Sequence, residues 1–133
     1  MPNYRLVTAP ATEPLTLAEV KLELKVDDSN EDDFITSLIV AARMAVEGRT
    51  WMPLISQTWA MQFDKSELNT LIWNVNKAPL ISFSSVTYYD SNNELQTLAA
   101  TQYETDIYGS PARFRIKSVP NVYDRMNALQ LNF

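Results

Sequence analysis

The hydrophobic period of this 133-residue chain changes once, near Pro53. That change constrains the fold more than any other feature. Before it, apolar residues recur at helical spacing. Leu17, Val20 and Leu24 fall at i, i+3 and i+7 on one stripe, while Glu19, Lys21, Glu23 and Lys25 lie off it. Thr16-Leu17-Ala18-Glu19 reads as a capping box, in which hydroxyl and carboxylate satisfy each other's backbone amides. A helix is therefore predicted over 16–26. A second is predicted over about 31–47. There Phe34, Leu38 and Ala42 form one row and Ile35, Ile39, Ala42 and Val46 an adjacent one, together a face broad enough for a core. Gly48 is placed to cap its C-terminal end. The two helices make an αα-hairpin over 16–50.

After Pro53 the pattern alternates instead. Strands are predicted over 55–63, 71–75, 85–89, 94–98, 103–107, 112–117 and 128–133. Trp59, Met61 and Phe63 share one face of the first. Asp90-Ser91-Asn92-Asn93 reads as a hairpin turn, with Asn93 taking the positive φ that glycine usually supplies. Tyr108-Gly109-Ser110-Pro111 reads as a second turn. Residues 1–15, marked by Pro2, Pro10 and Pro14, form an extended arm or an edge strand. A helical hairpin followed by an antiparallel β-rich region over 51–133 makes the fold class α+β. The length suits a single domain over 1–133, or two small lobes.

Composition narrows function by exclusion. There is no cysteine and no histidine, which removes disulfides, thiol nucleophiles, Cys/His zinc sites and every Ser-His or Cys-His catalytic arrangement. Gly48 and Gly109 are the only glycines, so no phosphate-cradling glycine loop can be written. The net charge of -5 argues against sequence-independent nucleic-acid binding. No apolar run approaches the ~18 residues of a membrane span, and the N-terminus lacks an apolar signal region. A soluble protein made for the cytoplasm is expected, with no membrane partner.

Four groups of residues remain as candidates. Asp27-Asp28-Ser29-Asn30-Glu31-Asp32-Asp33 carries five acids in seven residues. It fails as a calcium-binding EF-hand loop, because aspartate stands at the glycine position and leucine or isoleucine at the glutamate position. It reads instead as an acidic helix start capped by Ser29 or Asn30. The carboxylate pairs Asp90 with Glu94 and Glu104 with Asp106 have acid–base chemistry available, but nothing in their spacing forces them into a pocket; they read as solvated. Arg113, Arg115 and Lys117 lie at i, i+2, i+4 on one strand face, the wet face of the strand or a contact for an acidic partner or nucleic acid. Trp51, Trp59, Trp73, Tyr88, Tyr89, Tyr103 and Tyr108 would serve a core or a sugar-stacking platform. No catalytic, cofactor-binding or metal-binding residue is assigned and no cofactor is expected. By elimination the chain works by making contacts.

The ordered set of motifs resembles the head–tail connector (adaptor, or head-completion) proteins of long-tailed bacteriophages and related prophages. The resemblance runs over nearly the whole chain. It starts with Val7, Pro10-Ala11, Glu13-Pro14-Leu15-Thr16-Leu17-Ala18-Glu19-Val20-Lys21, Leu24 and Val26-Asp27. It continues through Glu31-Asp32-Asp33, Ile35, Leu38-Ile39, Ala41-Ala42-Arg43, Val46-Glu47, Leu54-Ile55 and Gln57-Thr58-Trp59. Pro79-Leu80, Ser85-Val86-Thr87-Tyr88-Tyr89-Asp90, Tyr103 and Pro111-Ala112-Arg113 complete it. Trp51 and Asn93 depart from it, standing at turn positions where such proteins commonly have glycine.

The resemblance implies a non-catalytic virion protein at the head–tail junction, assembled in the bacterial host cytoplasm. It implies a homo-oligomeric ring, dodecameric when assembled and monomeric when free. The ring would sit between the portal protein and a neck or tail-completion protein, and DNA would pass through without sequence-specific binding. It also implies C-terminal helices beyond residues 128–133, so a short variant or a truncation is expected. The alternative is a carbohydrate-binding or other small β-rich binding module. The expected interaction surface comprises the acidic Asp27, Asp28, Glu31, Asp32 and Asp33, the basic Arg113, Arg115 and Lys117, and a last edge strand presenting Leu129, Leu131 and Phe133. The acidic end is expected to meet the basic patch of a neighbouring subunit.

Overall fold

The computed structural model describes residues 1–133 and is α+β, a helical pair followed in sequence by antiparallel sheets. The elements are β1 (Asn3–Thr8), α1 (Leu17–Leu24), α2 (Asp32–Thr50), β2 (Thr58–Phe63), β3 (Ile72–Val75), β4 (Ser85–Tyr89), β5 (Leu95–Thr97), β6 (Tyr103–Asp106), β7 (Ala112–Ile116) and β8 (Leu129–Asn132). They fall into two compact units. Pro10–Ser56 holds both helices; Met1–Ala9 with Gln57–Phe133 holds all the strands.

In the helical unit the capping box forms as expected. The Glu19 amide donates to Thr16 Oγ1 at 3.2 Å, and the Thr16 amide donates to Glu19 Oε2 at 2.8 Å. Hydrogen bonding from the Thr16 backbone, and then from its hydroxyl, holds the Glu19 carboxyl below its usual range. α1 closes on Lys25, a left-handed residue at φ 57°, and the Val26 amide donates to the Lys21 carbonyl at 3.0 Å.

α2 differs from the expectation at both ends. Its acids Asp32 and Asp33 do occupy the first turn, where the helix dipole favours them, but neither Ser29 nor Asn30 caps it. The Asp28 carboxylate instead accepts from the Asn30 amide at 3.0 Å, a local turn that competes with the cap. Gly48 is not the C-terminal cap. The hydrogen-bond ladder runs past it, with the Trp51 amide donating to the Glu47 carbonyl at 2.9 Å, and Trp51 takes the left-handed turn at φ 60°. The expected broad apolar face also divides. Ile35 and Ile39 are buried, while Phe34, Leu38, Ala42 and Val46 are exposed. α1, eight residues long, packs on α2 and has no buried residue of its own, and only Ile35 and Ile39 of the second row are covered.

The strand unit contains two antiparallel sheets, ordered β1-β2-β8-β4-β5 and β3-β7-β6. Residues 3–8 are an edge strand rather than a free arm. Tyr4 lies opposite Met61 and Arg5 opposite Ala60, with an irregularity between Leu6 and Thr8. Asn93 adopts φ 62° at the β4–β5 turn, as expected from its place. The inward rows of both sheets meet in one cluster that includes Met61, Phe63, Val75, Val86, Phe114, Ile116, Leu129 and Leu131. Aromatic contacts run through it: Phe63 to Trp73 at 4.9 Å between centroids, Tyr103 to Phe114 at 5.6 Å and Trp73 to Phe114 at 6.0 Å.

The last strand overturns one expectation. β8 is the centre of its sheet and not an edge. Leu131 lies opposite Met61 on one side and Val86 on the other. Leu129 and Leu131 are fully buried, and Phe133 packs edge-on against Tyr4 and Phe83. Both backbone edges of β8 are already hydrogen-bonded, so Leu129, Leu131 and Phe133 have neither surface nor free donors to offer a partner.

Candidate functional site

The basic strand face is built by register. In the β6–β7 pair, Asp106 lies opposite Arg113 and Glu104 opposite Arg115. Both Nε and Nη2 of Arg113 donate to Asp106 Oδ2, at 3.1 and 2.6 Å. These bonds hold the Asp106 carboxyl below its usual range, with the amides of Gly109 and Tyr108 adding to the effect. Arg115 and Lys117 share Glu104 at 3.5 and 3.4 Å. The residues expected to seek an acidic partner thus each have one on the neighbouring strand. The Glu104 and Asp106 pair is accounted for by the same bonds. Asp90 is engaged as well, accepting from the amides of Asn92 and Glu94 and from the Gln96 side chain at the turn. No group of three or more acidic side chains converges as metal ligands.

The acidic connector between α1 and α2 is partly engaged. Lys21 Nζ donates to the Asp28 carbonyl at 2.5 Å and to Asp32 Oδ1 at 2.6 Å, which ties the connector to α1. Asp27, Glu31 and Asp33 are exposed, and their carboxylates make no hydrogen bond or ion pair. The helical unit is further held by Arg43. Its Nε donates to Glu13 Oε2 at 2.6 Å and its Nη1 to Glu47 Oε2 at 2.8 Å, while Glu47 Oε1 accepts from the Leu54 amide at 2.9 Å. One guanidinium, about one-tenth exposed, joins the lead into α1, the body of α2 and the chain leaving it. Glu13, Arg43, Glu47 and Leu54 are among the residues that carry the family resemblance, and their role here is structural.

The aromatic residues do not assemble a stacking platform. Trp73 is buried, and Trp59, Tyr88 and Tyr103 pack against the same core. Tyr89 lies under the Arg125 guanidinium at 3.8 Å. Trp51 and Tyr108 are exposed, on different units.

Sequence reasoning missed one feature. On the outer face of the five-stranded sheet a concavity of about 290 Å³ is lined by two arginines, Arg5 and Arg125, among Gln62, Thr87, Gln130 and neighbouring side chains. No carboxylate lines it, although the chain has 16 acidic against 11 basic residues. The Arg5 guanidinium makes no hydrogen bond or ion pair. Arg125 is held in place by Asn93 Oδ1 at 2.9 Å and by its stacking on Tyr89. The two arginines stand 120 positions apart, and no spacing signal links them.

Comparison with known proteins gives a consistent answer. No curated protein sequence matches. A chain of the neck of an empty GTA particle, computed with C6 symmetry, superposes with a TM-score of 0.76 at 20% identity, covering 98% of this chain and 69% of that one. A chain of the virion of a native gene transfer agent (GTA) particle gives a TM-score of 0.66 at 22% identity, with the same coverage. At that identity the likeness is one of fold. The family described as phage gp6-like head-tail connector protein matches residues 14–105, from the lead into α1 through most of β6. With that match spanning well over half of its length, the chain belongs to the phage gp6-like head-tail connector family.

Proposed function

We propose that the protein is a non-catalytic subunit of a closed homo-oligomeric ring at the head–tail junction of a phage-like particle. The ring, dodecameric when complete, extends the DNA channel beneath the portal protein and presents its far side to a neck or tail-completion protein. Subunits wait as monomers in the host cytoplasm until heads are filled. The whole chain acts as one connector-like domain. The observation that carries this reading is the family match over residues 14–105, supported by the likeness to chains of a C6-symmetric neck. The exposed row Phe34, Leu38, Ala42 and Val46 on α2 agrees with it, because an apolar helix face left in solvent suits contact with a neighbouring subunit. Ring contacts are heterologous, so two dissimilar surfaces of each subunit meet.

The test is direct. Purified protein mixed with portal-bearing heads should co-sediment with them, and micrographs should show rings at the vertex. Free protein that stays monomeric and leaves the heads bare at every concentration would refute the reading. DNA passing through such a ring should make no sequence-dependent difference to binding.

A further inference from the structure

The geometry points to the two-arginine concavity on the strand unit as the seat of the acidic connector of a second copy of this chain. This rests on the ring reading above and names one of its contacts.

Four observations carry it. The concavity gathers Arg5 and Arg125 and no carboxylate, within a chain of net charge -5. The Arg5 guanidinium has no partner within the chain, although it lies on a face where the side chains of Gln62, Gln130, Asn132 and Ser85 satisfy one another. Arg125 is fixed by Asn93 and Tyr89 and presents its remaining guanidinium donors without a carboxylate among its contacts. The connector displays the complementary set: Asp27, Glu31 and Asp33 are exposed and unpaired, on a segment that Lys21 already holds in shape. Preformed partners lose less freedom on docking than mobile ones. The concavity, about 290 Å³, is open to the carboxylates of a protruding turn, and carboxylates suit the forked donors of arginine.

The face formed by Arg113, Arg115 and Lys117 is the weaker target. Glu104 and Asp106 already pair with all three of its cations and leave one net positive charge, so docking there would compete with existing pairs. A DNA phosphate is the competing class of ligand. Two arginines on a protein with this acidic excess offer little of the charge that phosphate binding uses. A connector in one copy and a concavity in the next is a heterologous contact that repeats around a ring.

The chain lacks cysteine, which permits a clean trapping experiment on the full chain. Copies carrying Leu95→Cys at the rim of the concavity are mixed with copies carrying Ser29→Cys in the connector in the presence of portal-bearing heads, and a short bismaleimide is added. Cross-linked heterodimer should exceed that from a control mixture of Tyr108→Cys and Ser29→Cys by about tenfold, the effect of two part-exposed ion pairs. The excess should vanish in Arg5→Glu/Arg125→Glu and in about 1 M salt, where the screening length falls to ~3 Å. Arg5→Glu alone, at a side chain with no hydrogen bond or ion pair to lose, should remove most of it without affecting the thermal unfolding midpoint. Triple reversal of Asp27, Glu31 and Asp33 to lysine should abolish it with wild-type arginines and restore it with the glutamate pair.

A heterodimer yield equal to the control, or one indifferent to the arginine reversals, overturns the inference. Binding to portal-bearing heads is scored in parallel on unlabelled protein. Heads that bind without trapping at the concavity would leave the ring reading standing, and heads that do not bind would remove both. Binding of a short DNA duplex that is lost with the two arginines would reassign the concavity to phosphate and likewise overturn it.

Discussion

Leu131→Ala is the most informative single substitution, because its consequence depends on whether the last strand is central or at an edge. Leu131 has no exposed surface and lies between Met61 and Val86 on the flanking strands. Removing a fully buried leucine side chain forfeits about 2–3 kcal/mol of transfer free energy. The cavity left between two hydrogen-bonded neighbours cannot collapse fully, which brings the expected cost to roughly 3–5 kcal/mol. A chain of this size has a stability on the order of 7–20 kcal/mol, so the variant still folds but is clearly weakened. Urea unfolding, followed by near-ultraviolet circular dichroism of the packed aromatic residues, reads the change. The midpoint should fall by about 2 M with the slope unchanged. Leu6→Ala on the edge strand β1, where the side chain is 42% exposed, should cost less than about 1 kcal/mol. A Leu131→Ala midpoint no lower than that of Leu6→Ala would refute the reasoning, since only a strand open to solvent would tolerate the loss.

Three other outcomes follow from local geometry. Lys25→Gly relieves a left-handed backbone at φ 57° and should stabilise the helical unit by about 0.5–1 kcal/mol, seen as a higher melting temperature by far-ultraviolet circular dichroism. Arg43→Ala leaves Glu13 and Glu47 without their shared cation and should cost roughly 1–3 kcal/mol, with Arg43→Lys recovering only part because one ammonium cannot match the forked pair. Stability should decline in acid. Arg113 beside Asp106, the Glu94 amide beside Asp90, and the Met1 ammonium and Asp64 amide beside Glu67 hold these carboxyls low, in the last case against burial that pushes the other way. Groups depressed on folding contribute their stabilisation above the ordinary carboxylate range near pH 4 and lose it as the pH falls through their lowered values. Asp106→Asn should therefore flatten the decline of the urea midpoint below about pH 4, and an unchanged pH profile would count against its pairing with Arg113.

Much of the fold is legible in the sequence because its determinants are local. The Thr16–Glu19 box, the two helices and the alternation of 112–116 each involve residues within a turn or a strand of one another, and the structure keeps them. The turn residues are legible for the same reason. Trp51 and Asn93, standing where the resemblance implies glycine, both take positive φ. Gly48, the residue that looked like a helix end, does not, because the ladder to Trp51 extends the helix beyond it.

The interaction surfaces were not legible, because they depend on which distant segments meet. Alternation of Leu129, Leu131 and Phe133 states that one face of a strand is buried; it says nothing about whether both backbone edges are paired, and tertiary pairing with β2 and β4 made that strand the centre. Arg113, Arg115 and Lys117 read as a free basic run until the β6–β7 register set Glu104 and Asp106 against them. Two apolar rows on α2 looked alike in sequence, and the fold buried only Ile35 and Ile39 of one of them. Arg5 and Arg125 came together only because β1 and the loop before β8 border the same sheet face. Thus the sequence by itself determined the elements, their order and the family. Only the tertiary structure decided which charges are already neutralised within the chain and which remain for a neighbour, because charge pairing depends on distance in space and strand register alone converts one into the other.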